Sequence, residues 1–188
     1  MPEWPEGLSL PEDWIPETEA HALLAAVDAL PWRHELRRRV QHHGYRYDYR
    51  ARRATAADRL GPLPGVLAAL ADRLRGEGHF AAPPDQVIVN EYLPGQGISA
   101  HVDCRPCFGD VIASLSLGSP CTMRLQEVDG AGRVDLNLPS RSLLILQGPA
   151  RHLWSHAIPA RKSDVVDGRR NPRGRRVSLT FRTMQMNG

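Results

Sequence analysis

Two periodicities divide this chain. From Pro16 to Leu30, the apolar residues Leu23, Leu24, Val27 and Leu30 fall on one face of a 3.6-residue repeat, and Pro16 and Pro31 punctuate its ends. The same spacing returns at Leu63, Val66, Leu67, Leu70 and Leu74, with Gly76 and Gly78 to stop it, and predicts a second helix over Leu63–Arg75. Both stripes read as core-facing surfaces without chemistry of their own. Elsewhere the period is two. Val40 to Tyr49, with Tyr45, Tyr47 and Tyr49 in alternation, predicts a strand. After residue 85, short strands are predicted at Gln86–Tyr92, Val111–Leu117, Thr122–Gln126, Gly132–Leu138, Ser142–Gln147 and Val177–Met184. Turn formers such as Pro94-Gly95, Asp129-Gly130 and Gly148-Pro149 separate them. Many short strands and two helices predict an α+β, mainly β domain, a barrel or sandwich with helices packed outside it. One stretch fits neither period: Arg161–Arg176 is polar, carries Gly168, Pro172 and Gly174, and predicts a mobile loop.

Composition narrows the class. A chain of 188 residues, 41% hydrophobic and 24% charged, suits one domain with a real core. No run of about 18 apolar residues exists, so no membrane helix is expected. The first residues, Met1 to Glu6, lack the basic and then apolar regions of a signal peptide, and we expect a cytoplasmic protein, monomeric. Three cysteines, Cys104, Cys107 and Cys121, cannot close a disulfide framework and suit a reducing compartment. Cys104-Arg105-Pro106-Cys107 has half of a zinc-site spacing with no second half, and reads as two small residues in a loop. The net charge of +3 is mild, but arginines cluster at 37–39, 50–53 and 161–176. The first two clusters flank Tyr45, Tyr47 and Tyr49, and cations beside aromatics suit phosphate contact with base stacking.

The candidate chemistry sits in His101-Val102-Asp103. On a strand, residues i and i+2 leave the same face, so His101 and Asp103 could converge on one ion. An imidazole and a carboxylate are two of three ligands in the facial triad that holds Fe(II) with positions left open. The third should be a distant histidine, with His152 and His156 as candidates. A second feature is Arg176-Val177-Ser178-Leu179-Thr180-Phe181-Arg182, in which Arg176, Ser178, Thr180 and Arg182 share one strand face. If that face lines the barrel, two guanidiniums point inward, and a buried guanidinium requires an anion. A dicarboxylate co-substrate would supply it, held by a bidentate fork.

Several motifs then occur in one order: Asn90-x-Tyr92, Pro94-Gly95-x-Gly97-Ile98, His101-x-Asp103, Ser114-Leu115-Ser116-Leu117-Gly118, Leu153-Trp154-x-His156 and Arg176-x-Ser178-x-Thr180-x-Arg182. This series, spread from about Val40 to Met184, resembles the AlkB family of Fe(II)/2-oxoglutarate dioxygenases. Within the family, Gln41-His42-His43-Gly44-Tyr45 and Pro139-x-Arg141-Ser142-Leu143-Leu144 look most like the AlkB-type domain of the vertebrate tRNA wobble-uridine hydroxylase. The resemblance implies a double-stranded β-helix (jelly-roll) core at 86–184, a substrate-recognition region at 36–85 and an N-terminal helical extension at 1–35. It implies Fe(II) on His101, Asp103 and His156, with 2-oxoglutarate and dioxygen as co-substrates. Arg176 would clamp the distal carboxylate of 2-oxoglutarate with help from Tyr92. Asn90 and Arg182 would approach its keto-acid end, and Ser178 stands where the bacterial prototype has asparagine.

The implied reaction is oxidative hydroxylation of a base in nucleic acid, either alkylated DNA or RNA, with tRNA included. On an N-methyl group the hydroxylated product sheds formaldehyde; on another carbon the hydroxyl stays. Tyr45, Tyr47 and Arg105 are the expected substrate contacts. Arg105 replaces an acidic residue of the bacterial repair prototype and would repel a cationic lesion if it points into the pocket. The expected activity is therefore demethylation or dealkylation of bases, with a tRNA wobble-uridine-type hydroxylase as the alternative. A protein or small-molecule hydroxylase, or an inactive binding module, are the readings from other classes.

Overall fold

The computed structural model describes residues 4–185; the ends of the expected domain, including the first three residues read for a signal peptide, lie outside them. Strand β1 (Leu8–Ser9) precedes helix α1 (Glu17–Asp28), β2 (Val40–His43) and helix α2 (Gly65–Gly76). Strands β3 (Gln86–Tyr92), β4 (Ile98–His101), β5 (Ile112–Gly118), β6 (Cys121–Glu127), β7 (Arg133–Leu138) and β8 (Leu143–Leu146) follow. The short helix α3 (Gly148–His152), β9 (Trp154–Ile158), β10 (Ser163–Val166), β11 (Arg169–Pro172) and β12 (Arg176–Arg182) complete the order.

Two antiparallel sheets form the body. The larger runs β1-β8-β5-β12-β3-β2 and the smaller β4-β9-β6-β7. The larger sheet is packed on both sides, but differently. Val87 and Val89 of β3, Leu115 of β5, Ile145 of β8, and Val177, Leu179 and Phe181 of β12 pack on Leu23 and Val27 of α1 and Leu67, Leu70 and Leu74 of α2. The alternate residues turn toward the smaller sheet, where Ile112, Leu144 and Leu146 meet Met123, Leu125, Leu136 and Ile158. Burying each of these larger side chains is worth roughly 1.5–3 kcal/mol. Two facing antiparallel sheets with helices on one outer face are the double-stranded β-helix arrangement the motifs imply.

Two expectations need correction, and one strand is additional. The strand from Val40 ends at His43, because Gly44 takes a φ of 77° and a side chain there would collide with the Asp85 carbonyl. Residues 45–59 then form a turn-rich flap closed by bridges Tyr45–Arg59 and Asp48–Arg53. Second, Arg161–Arg176 is a rooted hairpin, β10–β11, rather than a mobile loop. Its root is Asp164, 3% exposed, which accepts from Arg173 Nε at 2.5 Å and Nη2 at 2.8 Å and from Arg161 Nε at 2.7 Å. Burial pushes the Asp164 carboxyl up, but these guanidiniums outweigh it and hold it at about 2. The strand Trp154–Ile158 was not expected, because its polar centre hides the alternation.

Candidate active site

Strand β4 ends at His101, whose partner across the ladder is His156 of β9; the two imidazole centroids are 4.3 Å apart. Gly97 lets β4 begin against β9, since a Cβ at that position would collide with the Ile158 carbonyl. Asp103 lies two residues past the strand end, and its Oδ1 is 3.9 Å from His101 Nε2. One ligand atom from each of His101, Asp103 and His156 lies within 4.8 Å of the others, the only such His/Cys/Asp/Glu group among the described residues.

Second contacts prepare these groups. Nδ1–H of His101 donates to the Ser99 carbonyl at 2.8 Å. A carbonyl can only accept, so the proton resides on Nδ1 and the Nε2 lone pair is free. Burial lowers the His156 imidazole to about 4, so this ring is neutral at pH 7. Burial alone would push the Asp103 carboxyl up; the charges of Arg182, His156, His101 and Arg151 outweigh it and hold it at about 2. Arg182 Nη2 donates to Asp103 Oδ1 at 3.0 Å, while Oδ2 is buried without a partner. Two imidazoles and a carboxylate with an open oxygen match the 2-His-1-carboxylate set that holds Fe(II) with positions left open.

The inner face of β12 continues the site. Arg176, Ser178, Thr180 and Arg182 all line a small chamber of about 60 Å³ beside the three ligand-type residues, together with Asn90 and Tyr92 of β3. Arg176 is 2% exposed. Its Nη2 donates to Ser116 Oγ at 2.9 Å and its guanidinium lies 5.4 Å from the Tyr92 ring centre, but Nε and Nη1 have no partner. No carboxylate among the described residues pairs with it. A buried cation in this state carries a large desolvation cost and is built for an anion from outside. Asn90 Oδ1 accepts from Arg38 Nε at 2.9 Å, and the Ser114 and Thr180 hydroxyls are 3.3 Å apart.

A larger cavity of about 340 Å³ opens onto the same histidine and carboxylate from the flap side. Tyr47, Tyr49 and Phe108 supply aromatic walls, and Arg38, Arg52 and Arg182 supply cations. Tyr47 and Phe108 centroids are 5.9 Å apart, and Arg182 lies 4.6 Å from the Phe108 ring centre. Two expected substrate contacts are elsewhere. Tyr45 is 6% exposed and packs in the core, its backbone bridged to Arg59 at the base of the flap. Arg105 faces away and its Nη2 donates to the His152 carbonyl. The structure instead brings in Tyr49, Arg38 and Arg52, which the basic and aromatic clusters contained, and Phe108, which had no signal beyond following Asp103 closely.

Two further residues stand behind the ligand set. Arg151 of α3 is 2% exposed; its Nη1 donates to the Asp103 carbonyl at 3.0 Å and its Nη2 to the Cys104 carbonyl at 3.3 Å. Cys104 and Cys107, expected as unpaired loop residues, form a disulfide, and Cys121 is free and buried. The Cys-x-x-Cys turn brings their Cα atoms to 5.3 Å, within reach of one another.

Comparison with known proteins follows this geometry. A family model described as the 2OG-Fe(II) oxygenase superfamily matches residues 7–182. The chain is 37% identical over 202 residues to an "Alkylated DNA repair protein ALKBH8 homolog" from Arabidopsis thaliana, covering 95% of this chain and 58% of that protein. It is 36% identical over 211 residues to the "tRNA (carboxymethyluridine(34)-5-O)-methyltransferase ALKBH8" of Macaca fascicularis, covering 96% of this chain and 31% of that protein. The chain thus spans about a third to three-fifths of these relatives' length. Among solved structures, OsALKBH1 superposes with a TM-score of 0.69 at 19% identity, over 97% of this chain and 99% of that one, which supports the fold. The likeness read from the motifs is therefore borne out.

Proposed function

The chain belongs to the 2OG-Fe(II) oxygenase superfamily, and from that premise we propose that it oxidises an alkylated or otherwise modified base in nucleic acid. The observation that carries the co-substrate half of this reading is Arg176, a buried guanidinium with two unpartnered nitrogens beside a His-Asp-His cluster. His101, Asp103 and His156 would hold Fe(II). The bound iron, with 2-oxoglutarate and dioxygen, supplies the oxidation of a C–H bond.

The chain's own residues do the rest. Arg176 holds the distal carboxylate of 2-oxoglutarate, with Ser116 fixing the guanidinium and Tyr92 flanking it. Arg182 keeps Asp103 ionised and oriented, while Ser99 keeps the His101 lone pair toward the metal position. Asn90, braced by Arg38, lines both cavities and sits where co-substrate and substrate meet. Tyr47, Tyr49 and Phe108 give the outer cavity aromatic faces on which a base can stack. The exposed arginines Arg37, Arg50, Arg52, Arg53 and Arg59 around the flap suit phosphates.

Oxidative dealkylation is the first form of this reaction. Hydroxylation that leaves the oxygen in place, as on a tRNA uridine, is the second, and one observation favours it. Among the described residues, Asp103 is the only acid lining the outer cavity and is already engaged by Arg182, whereas Arg38 and Arg52 bring further guanidiniums to it. Such a pocket disfavours a positively charged methylated base and accepts a neutral or anionic one. Incubation with methylated DNA, methylated RNA and total tRNA, followed by product masses, decides between them. A gain of one oxygen retained in tRNA selects hydroxylation, loss of a methyl group selects dealkylation, and no change in any nucleic acid refutes the substrate class.

A further inference from the structure

The Cys104–Cys107 disulfide takes no part in the chemistry above, yet its place in the chain is special. The bond closes the ring Cys104-Arg105-Pro106-Cys107, which directly follows Asp103 and directly precedes Phe108. One neighbour is a ligand-type carboxylate and the other is a wall of the outer cavity. Hydrogen bonds tie the ring on both sides. Arg151 donates to the carbonyls of Asp103 and Cys104, the Phe108 N–H donates to the Cys104 carbonyl at 3.2 Å, and the Gln185 N–H donates to the Cys107 carbonyl at 2.8 Å. Cys107 is 4% exposed, whereas Cys104 is partly exposed, so a reagent from solvent meets the Cys104 sulfur first.

We infer that Cys104–Cys107 is a thiol–disulfide exchange site, taking a dithiol as its redox partner, and that its state sets how firmly Asp103 is held for the metal. This rests on the reading that His101, Asp103 and His156 bind a metal ion. In the exchange, a thiolate of the dithiol attacks Cys104 Sγ, the Cys104–Cys107 bond breaks, and Cys107 leaves with the electron pair and takes up a proton. The second thiolate of the dithiol then attacks its own sulfur in the mixed disulfide, and Cys104 leaves as a thiolate and is protonated. Two electrons and two protons pass to the cysteine pair, and the dithiol becomes a disulfide. Reduction removes the cross-link from the turn that carries Asp103, leaving hydrogen bonds alone to hold its backbone. Outer supports of this kind typically change metal affinity by about 10–100-fold.

The test uses the native protein in two states: fully oxidised, and reduced with dithiothreitol that is then removed without air. Denaturing alkylation followed by mass measurement counts the thiols. With three cysteines in the chain and Cys121 free, the oxidised form should show one and the reduced form three. Mn(II) affinity is then read by electron paramagnetic resonance, since this hard ion has little preference for thiolates. The oxidised form should bind Mn(II) on the order of tenfold more tightly. The double substitution Cys104→Ser/Cys107→Ser should match the reduced form and no longer respond to oxidant. Equal affinities in the two native states, or three thiols after exhaustive oxidation, overturn the inference even if the variant does not fold. Loss of Mn(II) binding in both states overturns the metal reading and this inference with it, a result distinct from two states that bind alike.

Discussion

The inner chamber and the outer cavity share Asn90, Ile98, His101, Asp103 and Arg182, yet they are built from different material. The inner chamber is made of strand residues at alternate positions on β3, β5 and β12, whose backbones pair along nearly their full length. The outer cavity borrows one wall from those strands and takes Leu36, Arg38, Tyr47, Tyr49, Arg52 and Phe108 from irregular backbone. A packed sheet fixes side-chain direction to within a rotamer, so it can hold a small anion against a metal position. A flap tied by two isolated bridges can adjust to a larger and more varied ligand. The expectation is that changes in the sheet act on co-substrate and turnover, whereas changes in the flap act on the nucleic acid alone.

The largest effect should come from the ligand set. Replacing His101, Asp103 or His156 with alanine should reduce succinate formation by at least about a thousandfold through loss of the metal, and Mn(II) binding should fall in parallel. Retention of either property would remove that residue from the centre. Next is Arg176→Ala, which strips the counter-charge from the distal carboxylate. At 2–5 kcal/mol for a buried charged pair, the 2-oxoglutarate needed for half-saturation should rise roughly a hundredfold. Arg176→Lys should recover only part of this, because an ammonium cannot reproduce the fork. In both variants the affinity for oligonucleotide should stay as it was.

Flap changes should give the opposite division. Tyr47→Ala should raise the KM for a nucleic-acid substrate by roughly tenfold, from a stacking contribution of about 1–3 kcal/mol, with the 2-oxoglutarate KM unmoved. If both constants moved together, the two cavities would not be separable as described. Neutralising Arg50 and Arg53, exposed and without ion pairs, should lower the salt dependence of oligonucleotide binding by about one to two counterions. An unchanged slope in fluorescence-anisotropy titrations would place the phosphates elsewhere.

The smallest effect is one of pH on the metal-free protein. Burial lowers the imidazoles of both His42 and His156 to about 4 from the ordinary 6.5. Between those values the unfolded chain binds protons that the folded chain refuses, so stability must fall as pH drops from about 6.5 to 4. Urea unfolding at several pH values checks this. His42→Gln should flatten part of the dependence without altering the inner chamber, since His42 lies in β2 rather than among the residues that line it.

The same contrast explains what was legible in the chain. β12 announces itself, because Val177, Leu179 and Phe181 alternate with Arg176, Ser178, Thr180 and Arg182, and the alternation survives in space as helix layer against chamber. The His101-Asp103 pair and the inward guanidiniums of β12 therefore follow from period and motif. The flap obeys no period. Tyr45, Tyr47 and Tyr49 look equivalent in sequence, but the strand ends before them and the flap keeps no alternation, so Tyr45 packs in the core while Tyr47 and Tyr49 line the cavity. Arg105 looks aimed at the substrate from its distance to Asp103, but the Cys104–Cys107 ring turns it outward. The hairpin β10–β11 was hidden because its interior is an ion pair, Asp164 with Arg173, rather than an apolar alternation. Long-range partners of this kind leave no local signature.

The most direct test is calorimetric titration of 2-oxoglutarate into the native protein with and without Mn(II), and into Arg176→Ala with Mn(II). Tight binding should occur only in the native protein carrying the metal, with at least about tenfold weaker binding in the other two samples. Equal affinity in all three would contradict a chamber in which the His101-Asp103-His156 set and Arg176 grip the two ends of one molecule.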